Sequence, residues 1–433
     1  MTEPAGLALQ PGDETPIIEY GSGFVSRGAL RARADALVEL LRARGIRRAL
    51  VSSDDPAHIL RAMDACNRAG ADLFVAHTSL PAGTVEDIIA EHRISLRIGD
   101  EDSIVGDGSD EPASASIFMM TSGTTGHPKI ARHDLGTLLG RIRANSRLSS
   151  MEGSKWLLTY QPTGFAGVQV QLTATLAAGV IVSPDARTPS GFYEAARRAG
   201  VTQISATPTF WRSFLMVAEP GAIALRQVTL GGEAADQVTL DRIRRHYPQA
   251  RVTHIYASTE AGVVFAVNDG RAGFPAAWLD EGVQDVQLRL HEGYLHIRTP
   301  HVMRGYLSAS SQPLLDDGWL ATADLCMVDG DRIRILGRQD SSINVAGSKV
   351  YPLAVETFLL SLDGVAEARV YGEPNPITGF IVAADIILSG EEDPKAARKR
   401  ILTACREGLA GYQVPRAVTF VETISTGASG KKG

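Results

Sequence analysis

Cysteine is scarce in this chain: Cys66, Cys326 and Cys405 are the three among 433 residues, far apart and without the short spacing of metal ligands. An odd number cannot all pair, which disfavours a disulfide-stapled secreted scaffold and fits a reducing, cytoplasmic interior. Long hydrophobic runs are lacking too. The longest, residues 172–182, is too short to cross a bilayer, so membrane insertion is not expected. Residues 1–16 are acidic and rich in Pro and Gly, without the apolar core of a secretory signal. Charge is not one-sided: 43 basic against 49 acidic residues leave −6, which gives no general attraction to nucleic acid or anionic lipid. No fixed-period repeat occurs, which argues against a solenoid.

What is present is an ordinary globular composition, 44% hydrophobic and 21% charged. A chain this long exceeds one simple core, so two or more domains are expected. Residues 30–44, 57–68 and 85–92 have helical apolar periodicity, alternating with short strand patterns at 49–52, 71–76 and 94–98. The rhythm resumes after 117–120, with strands expected at 156–159, 180–183, 203–205, 228–230 and 252–256. Such alternation predicts an α/β fold with mainly parallel, helix-covered sheets. Between 283 and 335 the helices fade, and 286–290, 294–297 and 332–336 read as antiparallel strands of a β-rich subdomain. A break is expected at 337–341. The rest has a small α+β pattern: helices at 352–360 and 394–407, strands at 366–371 and 381–388. The division is therefore 1–337 as a large N-terminal domain, 338–341 as a hinge and 342–433 as a small, mobile C-terminal domain.

The most informative stretch is 117–129, IFMMTSGTTGHPK. An apolar strand runs into Thr121, Ser122, Gly123, Thr124, Thr125 and Gly126, followed by Lys129. Glycine lets backbone N–H groups turn inward, hydroxyls add donors for phosphate oxygens, and the lysine adds positive charge. The spacing is not that of a Walker loop, and no Ser or Thr follows the lysine, so an ordinary kinase or ATPase is not indicated. Taken alone, the cluster could equally be a solvated loop.

In context, TSGTTGHPK resembles the signature of the adenylate-forming superfamily: acyl-CoA synthetases, aryl-acid ligases, adenylation domains of peptide synthetases, and luciferases. Further motifs follow in that family's order: GGE at 231–233, YASTE at 256–260, GWLATADL at 318–325, GRQDSSINVAGSKVYPLAVE at 337–356 and ASGKK at 428–432. The resemblance implies that Thr259 contacts phosphate and Glu260 holds Mg²⁺. It puts Tyr256 against adenine, with Gly231, Gly232 and Glu233 on its other face and Ala257 and Ser258 alongside. Asp324 takes the ribose hydroxyls, Arg338 the ribose or phosphate, and Asp340 marks the hinge. Lys431 bridges the substrate carboxylate and the α-phosphate, while Gly347 and Lys349 belong to the thiolation step. The acyl pocket is implied between 160–168, 207–210, Gly231 and 257–258, with Thr207 and Ala257 on its wall. Phe165 is placed either as its gate or as a core residue.

Departures from the family pattern are Ala257 and Ala323, where relatives usually carry Gly, and Asn344, where many carry Lys. Ala257 is expected to narrow the pocket and Ala323 to change little. The amino-terminal portion is short for the family. QPTGFAG lacks the aspartate with which amino-acid-activating relatives bind an α-ammonium, which favours an aryl or short-to-medium aliphatic acid. The implied reaction is ATP-dependent formation of an acyl-adenylate, then transfer to a pantetheine thiol of coenzyme A or of an acyl carrier protein. A ligase for an amino acid, or a non-catalytic nucleotide-binding scaffold, are the alternatives. Whether the protein is a monomer or a homodimer is left open.

Overall fold

The computed structural model describes residues 6–7, 9–106, 108, 111–121, 128–307, 314–315 and 317–424, with only the backbone of Thr121. Two helix-covered sheets form its larger part. The first has six strands in the order Ser103–Ile104, Leu96–Ile98, Arg48–Val51, Asp72–Val75, Ser116–Thr121, Lys129–Asp134. Its inner pairs are parallel and its two edge pairs antiparallel. The second has eight: Gly262–Val267, Arg251–Ser258, Gln227–Leu230, Gln203–Ala206, Lys155–Leu157, Val180–Val182, Pro16–Glu19, Phe24–Ser26. It too is parallel inside and antiparallel at its edges.

Side-chain alternation decides what each sheet face meets. Along the first sheet Val51, Leu73, Val75, Ile117 and Met119 point into a core shared with the second sheet's Ile18, Trp156 and Ile181. The helices Arg27–Ala43, Pro56–Ala69, Leu135–Arg143 and Phe165–Leu176 fill the space between. Leu50, Phe74, Phe118 and Met120, one residue out of step, face a smaller cluster under the helix Ala82–Glu91. That is the period of two expected of strands buried on both faces. Local chemistry marks the ends. Pro56–Ala69 starts on Asp55, whose carboxylate accepts the Ala57 N–H at 2.8 Å, and stops at Gly70, held at φ +75°.

The third sheet is antiparallel, in the order Phe274–Pro275, Arg332–Arg338, Leu320–Asp329, Tyr294–Arg298, Gln287–His291. The fourth lies beyond residue 342. Ser348–Val350, Ile343–Val345, Gly379–Leu388 and Val365–Asn375 lie side by side, and Ala417–Phe420 also pairs with Gly379–Leu388. Helices Pro352–Leu360 and Pro394–Gly408 cover it around a separate core of Val355, Val370, Ile386 and Ile401. The expected fold class is borne out: helix-covered sheets, a β-rich subdomain and a small α+β C-terminal part. One element is unexpected. Pro16–Glu19 joins the second sheet by pairing Ile18 with Ile181, not the first sheet that follows it in sequence.

No helix among the described residues is long and apolar enough to cross a membrane. All three cysteines are free and buried, and burial pushes the Cys66 and Cys326 thiols up to about 12.

Candidate active site

Three of the sheets contribute to one cavity of about 180 Å³. From the second comes the end of Arg251–Ser258, carrying Tyr256 and Ser258 and running into Glu260. From the third come Asp324 on Leu320–Asp329 and Arg338 on Arg332–Arg338. These last two, on consecutive strands, are cross-strand partners in the antiparallel ladder, with a guanidinium nitrogen 3.9 Å from the Asp324 carboxylate. Lys129, at the start of the first sheet's edge strand, completes the wall.

The polar groups are mutually engaged. The Tyr256 hydroxyl donates to Asp324, and its ring stacks on Phe265 at 5.3 Å. Burial, and then the Asp324 charge, hold the Tyr256 hydroxyl well above its ordinary pKa. Arg338 also donates to Asp340 at 3.3 Å. Burial works against its charge, but Asp324, Asp340 and Glu260 outweigh burial and raise its pKa.

One cavity residue was not legible in the sequence. Tyr306 donates its hydroxyl to Glu260 at 2.5 Å, and the Lys129 ammonium sits 5.5 Å from the centre of its ring. It arrives there because its segment pairs with the first sheet's edge strand: Leu307 N–H donates to the Ile130 carbonyl at 2.8 Å, and Arg132 N–H to Gly305 at 2.9 Å. An aromatic residue in an irregular Gly-containing stretch carries no periodic signal, so nothing in the pattern singles it out.

A second residue supports the site from behind. His133 is 1% exposed, and its Nε2 lies 2.9 Å from the Thr259 carbonyl, one residue before Glu260. Its ring leans on Phe165, centroids 5.8 Å apart. Burial drives its pKa down to about 4, so it is neutral near pH 7 and its Nε2–H donates to the carbonyl.

The cavity wall thus gathers Lys129, Tyr256, Ser258, Glu260, Asp324 and Arg338. Other predicted residues lie elsewhere. Gly231 and Gly232 follow the strand Gln227–Leu230, and Gly232 has φ +84°, which favours glycine. A Cβ on Gly231 would come within 2.8 Å of Ile255, and the Gly231 carbonyl accepts the Tyr160 hydroxyl at 3.2 Å. Glu233 accepts from the Thr209 hydroxyl at 2.7 Å and its N–H at 3.1 Å. Thr207 caps the helix Pro208–Val217, accepting the Phe210 N–H at 3.0 Å. Ala257 sits at the irregularity where Arg251–Ser258 meets Gly262–Val267. Asp340 lies in the short turn Gln339–Ser341. Gly347 and Lys349 belong to the hairpin of Ile343–Val345 and Ser348–Val350, where a Cβ on Gly347 would meet nothing within 4 Å. Ser122, Gly123, Thr124, Thr125, Gly126 and Lys431, and the side chain of Thr121, lie outside the described residues.

One expectation is corrected. Ala323 is not a neutral replacement for glycine, because its φ is +60°, a left-handed conformation that a Cβ makes costly. The strain sits beside Asp324, and the Thr322 hydroxyl pins that turn by donating to the Leu295 carbonyl at 2.7 Å.

The chain is similar to proteins already known. Residues 105–307 match the family described as AMP-binding enzyme, and residues 354–431 the AMP-binding enzyme C-terminal domain. Feruloyl-CoA synthase of Amycolatopsis sp is 27% identical, covering 96% of this chain and 93% of that protein. The 2-succinylbenzoate–CoA ligase of Bacillus velezensis is 26% identical, covering 90% and 86%. Among solved structures, an anthranilate CoA ligase in complex with anthranoyl-AMP superposes with a TM-score of 0.81 at 17% identity, over 100% of this chain and 96% of that one. ATP-bound MatB from Rhodopseudomonas palustris gives 0.79 at 19% identity, over 99% and 97%.

Proposed function

Because the chain belongs to the AMP-binding family of adenylate-forming enzymes, we propose that the cavity between Tyr256, Glu260, Asp324 and Arg338 is where it joins a carboxylic acid to AMP. The protein is an acid–thiol ligase. It activates an acid with ATP, releases pyrophosphate, and transfers the acyl group to coenzyme A. The observation that carries the site assignment is the convergence of Asp324, Arg338, Tyr256 and Glu260 from two different sheets on one cavity.

The first step forms a bond between a carboxylate oxygen and the ATP α-phosphorus and breaks the bond to pyrophosphate. Both reactants are anionic, so they must be shielded and aligned. Asp324 accepts from the ribose hydroxyls, and Arg338, across the ladder, supplies positive charge. Tyr256 offers a ring face to adenine, its other face resting on Phe265. Lys129 and the hydroxyls of 121–125 meet the phosphates, and Lys431 meets the substrate carboxylate and α-phosphate. Among the described residues no three carboxylates, imidazoles or thiols converge as a metal cluster. The Glu260 carboxylate, one of two on the cavity wall with Asp324, fits Mg²⁺, which takes one or two carboxylates and fills its shell with phosphate oxygens and water. Bound there, Mg²⁺ supplies neutralising charge to the phosphates. In the second step a thiol attacks the acyl carbonyl and AMP leaves.

Residues 1–337 and 342–433 act as separate domains, with the turn at 338–341 as the hinge. Its rotation brings Gly347 and Lys349 to the cavity for the second step. The acid is aryl or short-to-medium aliphatic: QPTGFAG at 161–167 carries no aspartate for an α-ammonium, and the Tyr160 hydroxyl, donating to the Gly231 carbonyl, is held beside the implied acyl pocket. An acyl carrier protein, which presents the same pantetheine thiol, is a second acceptor, and a cytoplasmic setting suits the three buried free thiols.

The test is pyrophosphate exchange into ATP across a panel of carboxylic acids, followed by thioester formation with coenzyme A. Exchange that depends on one class of acid is expected. Phosphate release indifferent to the acid would remove the proposal.

A further inference from the structure

Away from the cavity, one side chain joins the C-terminal sheet to the large part of the molecule. Arg212, on the helix Pro208–Val217, has a side chain only 5% exposed. Its Nε donates at 2.6 Å to Glu367, whose side chain is 3% exposed and lies on the C-terminal strand Val365–Asn375. Its other nitrogens stay within the large part, donating to Asp236 at 3.0 Å and to the Thr209 hydroxyl at 3.0 Å. That hydroxyl donates onward to Glu233 at 2.7 Å. A second arginine closes the same seam, Arg242 donating to the Val365 carbonyl at 3.1 Å.

A carboxylate removed from water is tolerated only where a cation and hydrogen bonds replace its hydration. Glu367 therefore permits burial of this strand only where Arg212 faces it. When the C-terminal part swings away, Arg212 keeps Asp236 and Thr209, and Glu367 regains water. The pair thus selects one docked arrangement without trapping it. The hydrogen bonds from Arg212 to Asp236 and Thr209, and from Thr209 to Glu233, hold the guanidinium in place whether or not the C-terminal part is docked. In this arrangement the hairpin bearing Gly347 and Lys349 contributes nothing to the described cavity wall, so the docked state is not the one that presents it to the thiol step.

We propose that Arg212 and Glu367 are positioning residues: their buried pair fastens the C-terminal domain in the arrangement that serves adenylation. The inference rests on the two-step reading above but assigns residues outside the cavity.

Because all three native cysteines are buried, Glu152→Cys and Ile377→Cys, at two exposed positions, allow a dye pair to report interdomain distance in the full chain. Glu367→Lys sets a cation against Arg212 in the docked state alone. It is expected to shift the docked-to-undocked ratio at least tenfold toward undocked, with no ligand present. It is also expected to slow pyrophosphate exchange at least tenfold while leaving thioester formation from supplied acyl-adenylate undiminished. Glu367→Asp, which keeps the charge, should fall between wild type and Glu367→Lys in both readouts, and it decides the matter should the lysine variant fold poorly. An unchanged distance distribution, or equal loss of both half-reactions, overturns the proposal. Absence of acid-dependent exchange in the wild type would instead remove the functional reading, leaving the distance result to stand by itself.

Discussion

Lowering the pH from 7 toward 4 should destabilise the protein through His133. The ring is 1% exposed, and burial lowers its pKa from 6.5 to about 4. Unfolded, the same imidazole binds a proton below about 6.5. Between the two values the unfolded chain holds the extra proton, so stability rises with pH across that window. The contribution is whole above pH 6.5 and is lost progressively as the pH falls to about 4. A displacement of this size corresponds to about 3 kcal/mol at 1.36 kcal/mol per pH unit. His77, His92, His246, His254 and His296 are also held low by burial and add slopes of their own. The comparison that isolates His133 is therefore a difference. His133→Gln keeps a side-chain N–H for the Thr259 carbonyl and does not titrate. Urea unfolding of both proteins from pH 4 to pH 7.5 should show the wild-type curve falling more steeply by about 3 kcal/mol over the window. Parallel curves would show that His133 gains its proton freely in the folded state, and the burial argument would fail.

Three further outcomes are expected. Lys431→Ala should cripple adenylate formation yet largely spare thiolysis of supplied acyl-adenylate; equal loss of both steps, measured separately, would count against its assignment. Ala323→Gly should raise the unfolding midpoint, since relief of about 1–2 kcal/mol of left-handed strain exceeds glycine's added unfolded-state entropy, for a net gain of about 0.5–1 kcal/mol. A lower midpoint would mean the positive φ carries no strain. Tyr160→Ala empties the space against Gly231, so kcat/KM should move toward longer acids; a preserved chain-length profile would place the acyl pocket elsewhere.

Much of this protein is determined locally. Alternation of apolar residues at two- and 3.6-residue periods set the parallel strands and their covering helices, because each element must bury one face whatever its neighbours are. Pro, Gly and capping residues set many of the ends, as at Asp55 and Gly70. The motif residues Tyr256, Glu260, Asp324 and Arg338 were legible because the stretches that hold them resemble motifs of the adenylate-forming superfamily. Their meeting was not. Asp324 faces Arg338 only through an antiparallel register, and Tyr306 reaches Glu260 only because residues 305–307 pair with the strand Lys129–Asp134. The pairing of Ile18 with Ile181 is of the same kind, as is Arg212 beside Glu367. Such contacts join residues on different elements, most of them remote along the chain, and the preference of any one residue is silent about them. Register, sheet order and domain docking arise from burying whole faces at once, so only the tertiary structure decides which distant side chains share a site.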